Sequence, residues 1–321
     1  MNIPNIKDTA IDISGKKVLV RLDLDTPEGD LTRLEASLST LNFLLEKNCQ
    51  VTVIGHKGRP TGNDPSLSVL PFKDEIEKLL NVKDKIEVLE NLRFNGGEEK
   101  NDLEFAKSLA QNQDFFVNEA FASSHRSHAS IVALPSLLPH AAGIRFSQEV
   151  ENLSKVFEDS KRPVVVIISG VKDDKVKYVE EFLKMADMIL IGGRLPDYIH
   201  DASPLRKNPK VIVAGLIADK EDISLHAIED FEKEIAKAKT IVLSGPLGKF
   251  EEEGHRQGTQ RVFKAVVESD AYKVAGGGDT ERAISLLSLK EKFDWVSVGG
   301  GAMLEFLSYH TLPGIKALLQ K

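Results

Sequence analysis

The sequence predicts an α/β protein made of two doubly wound parallel-sheet domains joined by a hinge helix. Three observations carry this. The chain has 321 residues, and at roughly 100–200 residues per domain that length divides into two. Short runs of β-branched and aliphatic residues recur along it, each followed by a stretch of helical period. The runs are continuously apolar rather than alternating, which is the pattern of parallel strands covered by helices on both faces.

In the first half the strand-like runs cover residues 17–23, 51–56, 86–92 and 115–121. In the second half they cover 164–170, 188–193, 211–215, 240–245, 272–278 and 295–301. Amphipathic stretches at 33–47, 174–184 and 228–239 supply helices between them. Residues 147–159 are polar and helical in period, with Val150, Leu153 and Val156 as the apolar members, and Arg162-Pro163 punctuates their end. The domain boundary is placed there. Cys49 follows a helix and enters a strand, which predicts a buried structural thiol.

Composition narrows the function classes. Apolar residues are 41% and charged residues 28% of the chain, enough for large cores under a polar surface and too ordered a mixture for disorder. No run of about 18 uncharged apolar residues exists, so no membrane helix is expected. Residues 1–14 lack a basic segment followed by an apolar run, and the single cysteine allows no intrachain disulfide. Both point to a cytoplasmic protein. With 42 basic and 49 acidic residues the net charge is −7, which argues against nucleic acid as a partner and, on its face, against a multiply anionic ligand.

Placement of charge says otherwise. In parallel sheets ligands bind beyond the carboxyl ends of the strands. The strand ends of the second half are mostly glycine: Ser169-Gly170, Gly192-Gly193, Ser244-Gly245-Pro246-Leu247-Gly248, Gly276-Gly277-Gly278 and Gly299-Gly300-Gly301. One such loop is an ordinary tight turn; five in one domain point to a phosphate-rich ligand held by backbone N–H groups. Residues 245–249 have the wrong spacing for a Walker loop, and neither triple-glycine run continues as G-x-G-x-x-G, so the site is of another type. The strand ends of the first half carry cations instead: Arg21 with Asp23 and Asp25, then His56 and Arg59, then Arg93, then His125, Arg126 and His128, with Arg33 opening the first helix. The planar guanidinium suits bidentate binding of phosphate and carboxylate. Convergence from four strands implies a small, highly anionic metabolite in one domain and a nucleotide in the other.

These residues carry a resemblance to the phosphoglycerate kinase family from near the N-terminus to Gly314. The matching segments are Val18-Leu19-Val20-Arg21-Leu22-Asp23, His56-Lys57-Gly58-Arg59-Pro60, Leu89-Glu90-Asn91-Leu92-Arg93-Phe94, Gly97-Glu98-Glu99-Lys100-Asn101-Asp102, Val117-Asn118-Glu119-Ala120-Phe121 and His125-Arg126-Ser127-His128-Ala129-Ser130. Gly245-Pro246-Leu247-Gly248, Gly276-Gly277-Gly278-Asp279-Thr280 and Gly299-Gly300-Gly301-Ala302 follow in order. The resemblance implies reversible phosphoryl transfer between 1,3-bisphosphoglycerate and MgADP, giving 3-phosphoglycerate and MgATP. Residues 1–146 would form the phosphoglycerate domain and 147–305 the nucleotide domain, with a tail, 306–321, packing back on the first. Asp23, Asp25, Arg33, His56, Arg59, Arg93 and Arg126 would hold the phosphoglycerate, supported by Arg21, His125 and His128. Arg33, Lys172, Lys175 and the helix start at Gly299–Gly301 would act on the transferring group. Gly170, Lys172, Lys175, Gly192, Gly193, Ser244, Pro246, Glu251 at the ribose, and Gly276, Gly277, Gly278, Asp279 and Thr280 would bind the nucleotide, with Asp279 as the Mg2+ ligand. A closing hinge would exclude water. A monomer with no nucleic-acid or membrane partner is expected.

The sequence departs from the family pattern in places. It is trimmed before Ile86 and between Arg194 and Asp222, and Arg194 stands where a third glycine is expected. An arginine there would stack on the adenine or fill its pocket. Lys172 and Lys175 are three apart rather than four, with Lys177 a further candidate. Asp25, Glu119, Ser244 and Val298 stand for expected Asn, Asp, Asn and Thr, and Asp25 needs a cation such as Arg21 to avoid repelling an anion. His140, His200, His226, His255 and His310 are assigned nothing. An active, shortened kinase is the leading reading; a non-catalytic metabolite-sensing or protein-binding descendant and a kinase with broader nucleotide choice are the alternatives.

Overall fold

The computed structural model describes residues 1–320; Lys321, the last residue of the expected tail, lies outside them. The chain divides into two compact units, one of Met1–Glu151 together with the chain from Thr311 on, the other Asn152–His310.

The first unit holds β1 (Lys17–Arg21), β2 (Gln50–Ile54), β3 (Ile86–Val88), β4 (Phe115–Asn118) and β5 (His140–Ala142) in the order β3-β2-β1-β4-β5. Every pairing is parallel, with Val18 opposite Val51 on one side and opposite Phe115 on the other. Between the strands run α1 (Thr32–Glu46), α2 (Phe72–Leu80) and α3 (Leu103–Ala110), and α4 (Ile144–Ser154) carries the chain across the division. Alternate strand residues feed two cores. Val18, Val20, Val51 and Val53 pack with Leu34, Leu41, Leu44 and Ile76, whereas Leu19, Ile54 and Phe116 pack with Ala106, Leu109 and Leu134. A strand buried on both faces has no polar side, which is why its sequence does not alternate.

The second unit repeats the plan with β6 (Val164–Gly170), β7 (Met188–Gly193), β8 (Val211–Val213), β9 (Thr240–Ser244), β10 (Tyr272–Gly276) and β11 (Trp295–Ser297), ordered β11-β10-β9-β6-β7-β8 and parallel throughout. Its helices are α5 (Val179–Phe182), α6 (Pro204–Lys207), α7 (Leu225–Ile235), α8 (Gln257–Glu268), α9 (Gly278–Leu286) and α10 (Gly300–Tyr309). Phe231, Phe263 and Ile228 seal one face of the sheet against Val165, Ile167, Ile241 and Leu243. The last helix, α11 (Pro313–Leu319), belongs to the first unit, where the Gly314 N–H donates to Ser124 O at 2.9 Å. In both sheets the strand order reverses once, between β1 and β4 and between β6 and β9, and such switch points are where open α/β sheets take their ligands.

All ten expected strands form, most ending two to four residues early because their last residues leave the ladder as site loops. β5 was not expected: it is three residues long and begins at His140, straight after Pro139, so no apolar run announces it. The expected helix at 174–184 is instead a 3-10 segment, Asp173–Tyr178, followed by the single turn of α5. The segment 147–159 is helical only to Ser154, and its helix begins earlier, at Ile144. Cys49 is buried, and its thiol donates to Ile13 O at 3.2 Å.

Candidate active site

The cations of the first unit meet at the carboxyl ends of β1, β2 and β4. Arg21 ends β1 fully buried, a costly position for a charge that every polar atom around it must offset. Its Nε donates to Ser130 Oγ at 2.9 Å, one terminal nitrogen donates to Leu22 O, and the other lies 2.6 Å from His56 Nδ1. His56, also fully buried, has Arg126 Nη1 2.9 Å from its Nε2. With guanidinium on both ring nitrogens the imidazole cannot take a second proton. Burial, then Arg21, Arg93 and Arg126, push its pKa far below the ordinary histidine range.

Glu98 balances this charge from beneath. It is buried, accepts from Ser130 N at 3.0 Å and Ser130 Oγ at 2.6 Å, and lies 3.6 Å from His128 Nδ1. Burial works against its ionisation, but His128, Arg21 and Ser130 outweigh that and hold it below the usual carboxylate range. No role was expected of Glu98 or Ser130; the only signal was an acid lying among motifs that otherwise carry cations.

The remaining residues form the upper layer. Asp23 accepts from Ala122 N at 2.8 Å and from the Ser123 hydroxyl, tying the β1 exit to the β4 exit at the switch point. Arg93 Nη1 donates to Gly58 O at 2.6 Å, and its Nε lies 3.2 Å from Glu99. Arg33 Nη1 donates to Asp25 O at 2.9 Å. Arg59 is exposed and close enough to Arg93 and Arg126 to depress the pKa of both, after burial. His125 is half-buried with Nδ1 unpartnered, and burial followed by Arg126 lowers its pKa. Asp25 is not neutralised by Arg21: its carboxylate accepts from Gly58 N at 2.8 Å and lies 3.7 Å from His56 Nε2. The extra acid is therefore turned toward the loop backbone.

In the second unit the switch point is filled by Lys175. Its ammonium donates to Ser169 O at 2.7 Å, where β6 ends, and to Ser244 Oγ at 3.2 Å, where β9 ends. Burial pushes its pKa down to about 8, against Asp174 and Asp279. Lys172, just before the 3-10 segment, is exposed. Lys177 instead lies over the Tyr178 ring, 4.8 Å from its centroid.

The glycine loops close in around this point. Gly245 has φ +101°, and a Cβ there would lie 1.9 Å from Ser169 O. Gly300 opens α10 so close to the β10 exit that a Cβ would lie 2.4 Å from Gly277 Cα. Gly170, Gly192, Gly193 and Pro246 line the adjoining exits: Arg194 N donates to Gly170 O at 2.8 Å, and Pro246 O accepts from Ser169 Oγ at 2.5 Å. Thr280 is not open to a ligand. It is buried, donating to Gly276 O at 2.9 Å and accepting from Gly245 N at 2.8 Å, so it ties two loops together. Gly278 and Asp279 begin α9 beside it; Asp279 is exposed and paired with Arg282. Glu251 is exposed, and Gly299 and Gly301 flank the first residue of α10. Arg194 is held along the edge of its guanidinium by Asp197 and Glu221.

A metal-binding cluster of three or more acidic, His or Cys side chains is absent among the described residues. Mg2+ keeps its waters and takes one or two carboxylates plus phosphate oxygens rather than a protein cage. Asp279, exposed at the start of α9, meets that requirement. Among the described residues no helix is long and apolar enough to cross a membrane.

Comparison with known proteins places the chain in a family. The sequence model of the family described as "Phosphoglycerate kinase" matches residues 6–212 and 206–310. The phosphoglycerate kinase of Finegoldia magna is 34% identical over 394 aligned positions, covering 99% of both chains. That of Borreliella burgdorferi is 32% identical, covering 99% of this chain and 100% of the relative. Since 394 positions are spanned by a chain of 321 residues, this chain is a shortened relative. The solved phosphoglycerate kinase of Coxiella burnetii superposes with TM-score 0.83 at 28% identity, covering 99% of each chain, and that of Pyrococcus horikoshii with TM-score 0.83 at 26% identity, covering 98% of each. With a family match over most of its length, two parallel sheets of the same architecture and cations gathered at one switch point, the chain belongs to the phosphoglycerate kinase family and is a phosphotransferase.

Proposed function

We propose that the chain catalyses reversible phosphoryl transfer between 1,3-bisphosphoglycerate and MgADP, giving 3-phosphoglycerate and MgATP, as a cytoplasmic monomer. The observation that carries this reading is the pairing of two unlike switch points: a cationic one around His56 and a glycine-lined one around Lys175. The first suits a small acid bearing phosphate, the second a nucleotide.

In the direction of acyl-phosphate synthesis, a carboxylate oxygen of 3-phosphoglycerate attacks the γ-phosphorus of ATP. A new P–O bond forms, the bridging β–γ P–O bond breaks, and its electron pair leaves with ADP. No covalent protein intermediate is needed, so the residues position charge and neutralise it. Arg33, Arg59, Arg93 and Arg126 hold the phosphoglycerate, with the buried His56 positioning Arg126; Asp23 and Asp25 shape their loops, and Arg21, His125 and His128 support them. Lys172, Lys175 and the N–H groups at Gly299–Gly301 neutralise the transferring group. The loops at Gly170, Gly192, Gly193, Ser244, Pro246 and Gly276–Asp279 hold the nucleotide, with Thr280 fixing two of them from beneath and Glu251 at the ribose. Asp279 would hold Mg2+, which would supply charge neutralisation to the nucleotide phosphates. Movement about α4 brings the two substrates together and excludes water.

A coupled assay with 3-phosphoglycerate and MgATP tests this. Turnover is expected, and Arg33→Ala or Lys172→Ala should lower kcat about a hundredfold with the unfolding midpoint unchanged. Absence of turnover with intact phosphoglycerate binding would refute the reaction, and full activity in either variant would refute its role.

A further inference from the structure

Two guanidinium groups approach one imidazole in the first unit. Arg21 Nη2 lies 2.6 Å from His56 Nδ1, and Arg126 Nη1 lies 2.9 Å from His56 Nε2. Arginine carries donors and no acceptor, whereas a neutral histidine has one N–H and one lone pair. The ring can therefore accept from one arginine only, and at its other nitrogen an N–H must face an N–H.

The neighbours decide which nitrogen that is. Arg21 is fully buried and committed at each nitrogen: Nε donates to Ser130 Oγ at 2.9 Å, Nη1 donates to Leu22 O, and Nη2 is left for the ring. Ser130 is fixed in turn. Its hydroxyl donates to Glu98 Oε1 at 2.6 Å and its backbone N–H to Glu98 Oε2 at 3.0 Å, which leaves the Oγ lone pairs for Arg21. Turning Arg21 away would strand buried polar groups, and these are costly to leave unpaired.

Arg126 is under no such constraint. It is half-buried, and apart from His56 no carboxylate or other acceptor among the described residues pairs with its guanidinium. The mismatch is thus tolerated at Nε2 and not at Nδ1, which places the ring proton on Nε2, 3.7 Å from Asp25 Oδ2. In this tautomer the ring turns no lone pair toward Arg126. In the other tautomer Nε2 would accept from Arg126 and draw the guanidinium inward, where substrate would have to compete for it.

We propose that Glu98 and Ser130 are positioning residues: through Arg21 they hold His56 as the Nε2–H tautomer, which denies Arg126 an internal acceptor and leaves its guanidinium to the anionic substrate. Glu98 and Ser130 are both fully buried, so they act through Arg21 and not on the substrate. The bound anion then supplies the acceptor that Arg126 lacks. The inference rests on the first unit being the phosphoglycerate site.

The tautomer is read directly in the wild-type enzyme by long-range proton–nitrogen correlation spectra, with His56→Asn used to assign the ring. Nε2 is expected to be protonated and Nδ1 unprotonated; a proton on Nδ1 would overturn the proposal. Two variants then break the chain at different links. Ser130→Ala removes the acceptor for Arg21 Nε, and Glu98→Gln leaves one acceptor where Ser130 N–H and O–H need two. In both, the ring should become a mixture of tautomers. Kd and KM for 3-phosphoglycerate should rise about tenfold, with kcat at saturating 3-phosphoglycerate and nucleotide KM within about twofold of wild type. Unchanged phosphoglycerate affinity, weakened affinity with an unchanged tautomer, or an equal loss of nucleotide affinity would refute the positioning role. Binding of 3-phosphoglycerate without turnover would count against the phosphotransfer reading alone, because the tautomer and the Kd ratios still decide this one.

Discussion

At the scale of the residue, the two switch points differ in how they treat charge. Burial, and then the arginines on either side, disfavour a charge on His56, whereas Lys175 is a half-buried cation with two neutral oxygens and no carboxylate in contact. Its lowered pKa, about 8, means that it gives up its proton just above neutrality. Nucleotide affinity should therefore weaken as pH rises through about 8, and Lys175→Arg, permanently charged, should remove that decline; a profile unchanged in the variant would exclude Lys175 as its source. Glu119 is the second informative residue. It is buried under the start of α4, accepting from Thr40 Oγ1 at 2.5 Å, Arg145 N at 3.1 Å and Phe146 N at 3.0 Å. Burial pushes its pKa up to about 7 against those donors. The folded protein then holds this proton more tightly than the unfolded chain, so stability falls as pH rises from about 4.5 to about 7 and the contribution is gone above that range. Denaturant titrations across that range should show the fall in the wild type and a flatter profile in Glu119→Gln, which also starts about 1–3 kcal/mol less stable because its amide cannot accept from both helix N–H groups and Thr40. Lys175 could be singled out by its place in a motif, but its priority over Lys177 could not, because both lie near one helix start and only the 3-10 winding separates them.

At the scale of the element, strands were legible and their ends were not. A run such as Val164-Val165-Val166-Ile167-Ile168 can only be a strand buried on both faces, while β5 has three residues and is defined by its pairing with β4. Long-range pairing of that kind leaves no local mark. The glycine loops were legible as ligand-facing turns, but their second function emerges from distance: Gly245 and Gly300 let neighbouring backbones touch. Gly300→Ala would place a methyl against the Gly277 backbone, forcing the N-terminus of α10 away from the β10 exit. We expect circular dichroism to be preserved and kcat to fall about tenfold or more, since a displacement of about 1 Å at a reacting centre is enough for a loss of that order. Wild-type kcat in Gly300→Ala would separate that helix start from the reaction.

At the scale of the whole molecule, net charge misleads. Residues 1–146 contain 17 basic and 21 acidic side chains, and the remainder 25 and 28, so neither part is basic. The anion site is nonetheless built of arginines, because these converge on His56 while most of the acids are dispersed. Of the acids at the site, Glu98 is buried beneath it, and Asp23 and Asp25 are turned to backbone N–H groups. Electrostatic capture by a local patch on an acidic protein should be screened by salt: KM for 3-phosphoglycerate is expected to rise several-fold between low ionic strength and about 0.3 M salt, and a flat response would mean that the arginines contribute little to capture. The two-sheet plan and the family were readable from ordered motifs. The ion-paired edge around Arg194 was not, since its partners Asp197 and Glu221 lie on separate loops and only the fold brings the second of them near. The central claim, that the phosphoryl group passes to a carboxylate and not to water, is tested most directly by trapping. With 3-phosphoglycerate, MgATP and hydroxylamine, the acyl phosphate should be captured as a hydroxamate in step with ADP, and ADP should not form when 3-phosphoglycerate is left out. ADP released at the same rate without 3-phosphoglycerate, or with no hydroxamate, would contradict the account.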